Sequence, residues 1–445
     1  MSDDKSAGIR SSLHEGASAV DILRDVALIG GPEYGPREPD KGLLANEVPL
    51  RCNLILRLMA PAEECLALRP LRECVRAACA ALIANVLYEY VGATKPWVFY
   101  SRDHNHYAAC ARARRYTPPF YTFANLMAAV EYLEQAGLIQ HQKTAPSPSA
   151  MFRSRIRASA LLLGLLENVE YEILFKQQEV VVLRDVDGRV LDYRDSKRIR
   201  AMRDDVLAHN QFLAGIDVHV NHPDAYYDKA GFLRVQGRWL DPRQCQYHRV
   251  FNGGWRAGGR WYGPFWQQLP SKIRPHLRIN CEPVVECDYR ACHLKLLCAL
   301  AGIELPFHEE GYDPYWLKGI PRGHVKSAFN IMLNASSETT ARWAIVDKVG
   351  VNWSYATRLM ERIKSNWPGL ERYWCSGMGL RLQGVDAEIC ARVQRRLRRA
   401  MIPVLSIHDG FIVASHAKTE LGDVMDKEMA RTCAYLASRG LSGEL

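Results

Sequence analysis

"VLSIHDGFIV", residues Val404 to Val413, sets the ionisable pair His408–Asp409 between two apolar runs. Pro403-Val-Leu-Ser-Ile and Phe411-Ile-Val-Ala each read as a short strand, and His-Asp-Gly has turn composition. The stretch therefore predicts a tight β-hairpin. An unpaired carboxylate buried in such a hairpin would be costly. Either the turn faces water or the acid holds a cation, and a second acid at the same place would favour the cation.

"EPVVECDYRACHLKLLCALAGI", Glu282 to Ile303, offers that acid. It begins as an apolar strand, reaches Asp288 and continues as a helix with Leu294, Leu297 and Leu300 on one side. If this strand pairs with the hairpin, two carboxylates converge. Like charges at close range repel unless divalent cations neutralise them. Two metals about 3.5–4 Å apart, bridged by carboxylates, are a standard arrangement for in-line phosphoryl transfer. Between the acids, "PRGHVKSAFNIMLNA" (Pro321 to Ala335) supplies cations for a triphosphate. Arg322 and Lys326, four apart, share a helix face that Asn330 and Asn334 continue. A lone pair of this kind is usually a solvated basic face; its place between the acids favours phosphate contact.

The 445 residues, 48% apolar, suit a globular chain of two or three domains. No apolar stretch approaches the roughly 20 residues of a membrane span, and the N-terminal "MSDDKSAGIRSS" has no hydrophobic signal core. Thirteen cysteines without a CxxC pair exclude zinc-ribbon and thioredoxin readings and predict reduced thiols in a cytoplasm. "DHNHYAAC" (Asp103 to Cys110) has ligand-type His104 and His106 but no metal spacing, so a polar loop is expected. Net charge is +9. "ARVQRRLRRA" (Ala391 to Ala400), "RSRIR" (Arg153 to Arg157) and "SKRIRAMR" (Ser196 to Arg203) concentrate arginine. Each alone is a solvated face; together they favour phosphate contact.

Four regions are expected. Residues 1–60 read as a partly ordered tail. Residues 61–165 read as a mostly helical region, with a long helix over 68–93. Its "TFANLMAAVEYLEQAGLIQHQKTAPSPSAMFRSRIRAS" (Thr122 to Ser159) runs helix, Gly137, strand, turn and basic strand, as a winged-helix module does. Residues 166–257 read as a thumb-like connector with a charged helix near 195–214, and residues 258–445 as the catalytic part. "GGWRAGGRWYGPFWQQLP" (Gly253 to Pro270) interleaves glycine, cations and aromatics, which suits either a nucleic-acid groove or an aromatic core.

The order acid strand, RxxxK helix, His-Asp hairpin resembles the palm and fingers of family A DNA polymerases and the related phage-type single-subunit RNA polymerases. "DYRACHLKLL" is similar to the family's first motif ("DYSQIELR"), "RGHVK" to its nucleotide-binding helix, and "IHDGF" to its third motif, nearest the "HDS" form. "LQGVDAEICARVQRRL" resembles the "QGTAADI" helix, and "GGRWYGPFWQQLPSKIR" the "TGR…LQNIP…R" approach to the first motif. The resemblance covers about residues 258–415. It implies an α+β right-hand palm with an antiparallel sheet and reduced helical fingers. It also implies template-directed nucleotide transfer from nucleoside triphosphates to a nucleic-acid primer, with two Mg²⁺ or Mn²⁺ ions. Asp288 and Asp409 would ligate metal, with the carbonyl of Tyr289. Arg322 and Lys326 would bind triphosphate, Lys326 acting in catalysis, with Asn330, Asn334 and His293 also at the nucleotide. His408 would touch the primer terminus; Arg260, Gln268 and Gln383 would contact nucleic acid. This sequence departs from the family at His293, where DNA polymerases have a glutamate, and at Gly410, where they have an acid. Two other readings remain: a winged-helix DNA-binding replication or regulatory protein with an inactive palm, and a primase-like or terminal transferase.

Overall fold

A computed structural model describes residues 47–439, except 52–53, 59–65, 67, 69–70, 93–96, 145–153, 168, 170, 176–178, 229–230 and 305–311. Most of the expected N-terminal tail, and the "APSPSA" turn, lie outside the described residues. Among the described residues no helix is long and apolar enough to cross a membrane.

The fold is mixed α+β. Its centre is a five-stranded sheet in the order Leu405–Ile407, Gly410–Ala414, Glu282–Asp288, Leu277–Ile279, Val218–Val220. Every neighbouring pair in it is antiparallel. The hairpin predicted from "VLSIHDGFIV" is present: Ile407 pairs with Gly410, leaving His408 and Asp409 as a two-residue turn. Only the first turn residue, His408, has a positive φ (59°). That is the pattern of a II′ turn, whose twist suits the flanking strands and which normally prefers glycine there.

The acid strand gives way to helix Cys292–Ala301 through Tyr289–Ala291, and Leu294, Leu296, Leu297 and Leu300 are buried. Each such leucine stabilises the fold by about 1.5–3 kcal/mol. Three helices then intervene: Arg322–Asn334, Glu338–Val349 and Trp353–Asn366. Ser337 and Asn352 cap the second and third by accepting from the amides of Thr340 and Tyr355. Helix Met378–Arg399 packs against strand Gly258–Tyr262 and helix Cys292–Ala301. A Cβ on its Gly384 would lie 2.9 Å from the carbonyl of Arg256, so glycine allows the helix close to the preceding loop.

Two hydrophobic cores form. The larger draws on residues between Val180 and Leu436. The smaller uses residues between Leu54 and Leu166, joined by Phe232. In the smaller unit helix Glu73–Gly92 packs with helix Phe123–Gln135. Strands Ile139–Gln142 and Arg155–Ala158 pair antiparallel, inside a four-stranded sheet completed by Trp97–Phe99 and Glu47–Pro49. Helix, Gly137, strand and basic strand thus follow the expected order.

Two expectations change and one open alternative is decided. "DHNHYAAC" is a helix rather than a loop, because Asp103 caps its amide at Asn105. The aromatic run goes to the core: Trp261, Phe265 and Trp266 are fully buried. The arginines of "ARVQRRLRRA" are largely consumed internally: Arg395 and Arg398 bind Asp205, and Arg392 and Arg396 bind Glu428.

Candidate active site

Asp288 is the last residue of its strand, and its cross-strand partner is Gly410. Asp409 precedes Gly410, so the two acids stand on adjacent chains one residue out of register. The Tyr289 amide faces the Asp409 carbonyl at 3.5 Å. A Cβ at Gly410 would overlap a carboxylate oxygen of Asp288. The acid found after the His-Asp step in the resembled family has no room here, and glycine is what lets Asp288 lie across the turn.

Electrostatics report the same closeness. Burial, and then the charge of Asp409, push the Asp288 carboxyl above the usual carboxylate range. Arg274 and Lys326 pull the other way. Arg274 itself is forked onto Glu286, two residues back on the same strand (3.0 and 3.1 Å). Lys326 is exposed and has no ion-pair partner among the described residues.

Beneath the turn lies a buried cluster. Asp386, 2% exposed, accepts from the guanidinium of Arg260 (down to 2.5 Å) and lies 2.7 Å from Nε2 of His293. Arg260 is thereby committed inside the protein, with its charge felt by both Asp409 and His408. The His408 ring meets Tyr262 edge-on at 5.6 Å, and its Nδ1 is buried without a partner. Burial, and then Arg260, hold its pKa below the ordinary histidine value.

Other expected residues are less concentrated. Arg322 starts its helix but is bound to Asp313 at 2.5 Å. Asn330 accepts from Asn334 (2.8 Å), whose amide packs against Gly379 on the neighbouring helix. Gln268 takes part through its carbonyl, which accepts from Arg238 (3.1 Å). Its neighbour Gln267 instead donates to the Ser406 carbonyl (3.0 Å), tying this segment to the hairpin. Gln383 is half-buried and makes no hydrogen bond among the described residues. Tyr289 is buried, its hydroxyl donating to Met425 (2.8 Å). The residues missed from sequence are Asp386, Glu286 and Tyr262. All three lay inside segments singled out above, but nothing local says what stands opposite them.

Among the described residues no group of three or more His, Cys, Asp or Glu side chains could hold a metal ion. Two carboxylates alone do not make a closed metal cage. They do fit Mg²⁺, which keeps waters and takes one or two carboxylates together with substrate phosphates.

No protein-family model matches this chain, and no curated protein sequence does. Among solved structures it is similar to the polymerase domain of Pol1 from M. smegmatis, in complex with DNA primer-template and dNTP. The match has 12% identity, 85% coverage of this chain and a TM-score of 0.26, and this chain spans 64% of that domain's length. A likeness this loose does not show a shared fold.

Proposed function

We propose that this chain is a template-directed nucleic-acid polymerase: a nucleotidyltransferase that extends a primer from nucleoside triphosphates with two Mg²⁺ or Mn²⁺ ions. The proposal takes residues 258–445 as a palm with reduced fingers, residues 166–257 as a connector and residues 61–165 as a winged-helix-like module, in a cytoplasmic protein. The single observation that carries it is the pairing of Asp288 with Gly410, which sets two carboxylates side by side at the mouth of an antiparallel sheet.

In this reading Asp288, Asp409 and the Tyr289 carbonyl hold the cations. Bound there, the cations would activate the attacking hydroxyl and stabilise the leaving pyrophosphate. Lys326, whose charge already reaches Asp288, takes the triphosphate. Arg322 joins it after exchanging Asp313 for phosphate. Neutral His408 rests against the primer end. Asp386 holds Arg260 and His293 beneath the sugar, with Gln383 free toward nucleic acid.

Extension of a primer-template by purified protein with Mg²⁺ or Mn²⁺ is the test. Asp288→Asn and Asp409→Asn should each abolish it, and extension surviving both substitutions would end the proposal. The Arg322–Asp313 ion pair favours a second reading, a DNA-binding protein with an inactive palm, because it already neutralises one expected triphosphate ligand. Duplex binding without incorporation would select that reading. Incorporation without template or primer would select a terminal transferase or primase-like enzyme.

A further inference from the structure

Strand Leu405–Ile407 is the outermost of its sheet and leads into the turn that presents Asp409. Leu405 and Ile407 stand opposite Ile412 and Gly410 as the hydrogen-bonded pairs of a two-residue hairpin, so the N–H and C=O of Ser406 point away from the sheet. Among the described residues no strand pairs with that edge. A side chain meets it instead. The Tyr247 hydroxyl accepts from the Ser406 N–H (2.7 Å) and donates to the Ser406 carbonyl (3.0 Å). It also accepts from the Trp266 indole (2.9 Å), so the hydroxyl is used in full. Tyr247 stands 159 residues before Ser406 in the chain and is itself anchored. Its N–H and C=O exchange bonds with the side-chain amide of Asn210, on helix Lys197–Leu213 (2.8 and 2.9 Å). Gln394 donates to the Ser406 hydroxyl (2.7 Å), and Ser406 is fully buried.

We infer that Tyr247 is a positioning residue: its hydroxyl holds the hairpin so that Asp409 meets Asp288. The inference rests on the polymerase reading for its chemistry. Bulk or charge alone would close a sheet edge. Bonding both backbone groups of one residue does more, because it fixes where the strand lies against its neighbour. Two residues later the chain turns through His408 at a φ of 59°. A non-glycine residue keeps such a conformation only where its surroundings hold it. A strand free to shift would carry Asp409 with it, and a misplacement of about 1 Å can cost on the order of a hundredfold in rate. Tyr247 lies outside the segment that resembles polymerases, so the hairpin is held from the connector and not from the palm alone.

Tyr247→Phe keeps the ring and removes the hydroxyl. In single-nucleotide extension it should lose roughly tenfold or more in kcat, with KM for the triphosphate changed less than about twofold, as for a misplaced reacting group and not for lost substrate binding. Mn²⁺ alone, followed by the paramagnetic resonance of the free ion, should bind the variant roughly tenfold more weakly, as when other groups that orient metal ligands are removed. Asp409→Asn should lose that Mn²⁺ binding. Leu436→Ala truncates a buried leucine of the same core without removing a hydrogen bond, so it controls for stability. It should melt lower yet keep kcat and Mn²⁺ affinity. Should Tyr247→Phe not fold, Asn210→Ala, which loosens the anchor and leaves the hydroxyl, should show the same split. A folded variant with kcat and Mn²⁺ affinity intact, or equal losses in Leu436→Ala, would overturn the inference. If the unaltered chain binds Mn²⁺ through Asp409 but extends no primer, the polymerase reading falls and Mn²⁺ affinity alone decides on Tyr247. If it binds no Mn²⁺ either, both fall.

Discussion

Asp288→Asn should make the metal-free protein more stable while removing its response to Mg²⁺. Asp288 lies opposite Gly410, and directly opposed residues of antiparallel strands have Cα atoms about 4.5–5.5 Å apart. One residue along, Asp409 stands roughly 6 Å away by that geometry. Two unit charges at ~6 Å repel by about 0.7 kcal/mol in bulk water and about 3 kcal/mol at an effective dielectric near 20. A half-open site lies between these limits, at roughly 1–2 kcal/mol. The sign follows from the raised Asp288 pKa. A carboxyl whose folded pKa lies above its unfolded value stabilises the fold when protonated and loses that contribution as pH rises through the folded pKa. At neutral pH the ionised acid therefore opposes folding, and the neutral amide does not. In EDTA the variant should melt about 1–5 °C higher, with the gap closing below the unfolded aspartate pKa of about 3.9. Mg²⁺ should raise the melting temperature of the unaltered chain and leave the variant unmoved. Scanning fluorimetry across pH, with and without Mg²⁺, reads both effects. A variant that melts lower in EDTA yet keeps the Mg²⁺ gain would refute the reasoning.

Further outcomes follow from the same geometry. Gly410→Ala should cost about 1–3 kcal/mol in denaturant unfolding and disable any extension, because the new methyl displaces the Asp288 carboxylate. Asp386→Ala leaves Arg260 buried and uncompensated and should destabilise by about 3–5 kcal/mol, seen as a lower urea midpoint. Asp313→Asn should change stability by less than about 1 kcal/mol, since its pair with Arg322 is exposed, yet tighten binding of inorganic triphosphate measured calorimetrically. Burial holds His209 down at about 3 and His248 at about 4, so both stay neutral in the fold while the unfolded chain protonates them near pH 6.5. Stability should accordingly fall as pH drops from about 6.5 toward those values, and His209→Gln should flatten that limb of a pH–urea titration.

The hairpin and the acid strand were legible because alternation over a few residues is a local signal. Leu294, Leu297 and Leu300 likewise announced a helix by spacing alone. What stayed hidden was the identity of partners. Four arginines of "ARVQRRLRRA" looked available for phosphate, and only the folded chain sets Asp205 and Glu428 against them. Asp386 stood within a noted segment, but its value comes from Arg260 and His293, which arrive from distant strand and helix. Trp261 and Trp266 carry the same letters whether they stack bases or fill a core. The fate of "DHNHYAAC" turned on one side chain, Asp103, closing a helix end.

The two acids reach each other only after helix Arg322–Asn334, the two helices behind it and the long helix Met378–Arg399 have been laid down between them. A nascent chain emerging from the ribosome therefore carries Asp288 without Asp409 while residues 289 to 408 are being added. The smaller core can be complete by then, while the two acids are not brought together until strand Gly410–Ala414 docks on Glu282–Asp288. A protease nick anywhere in the intervening helices should leave two pieces, each holding one aspartate, that regain Mg²⁺ response only when mixed.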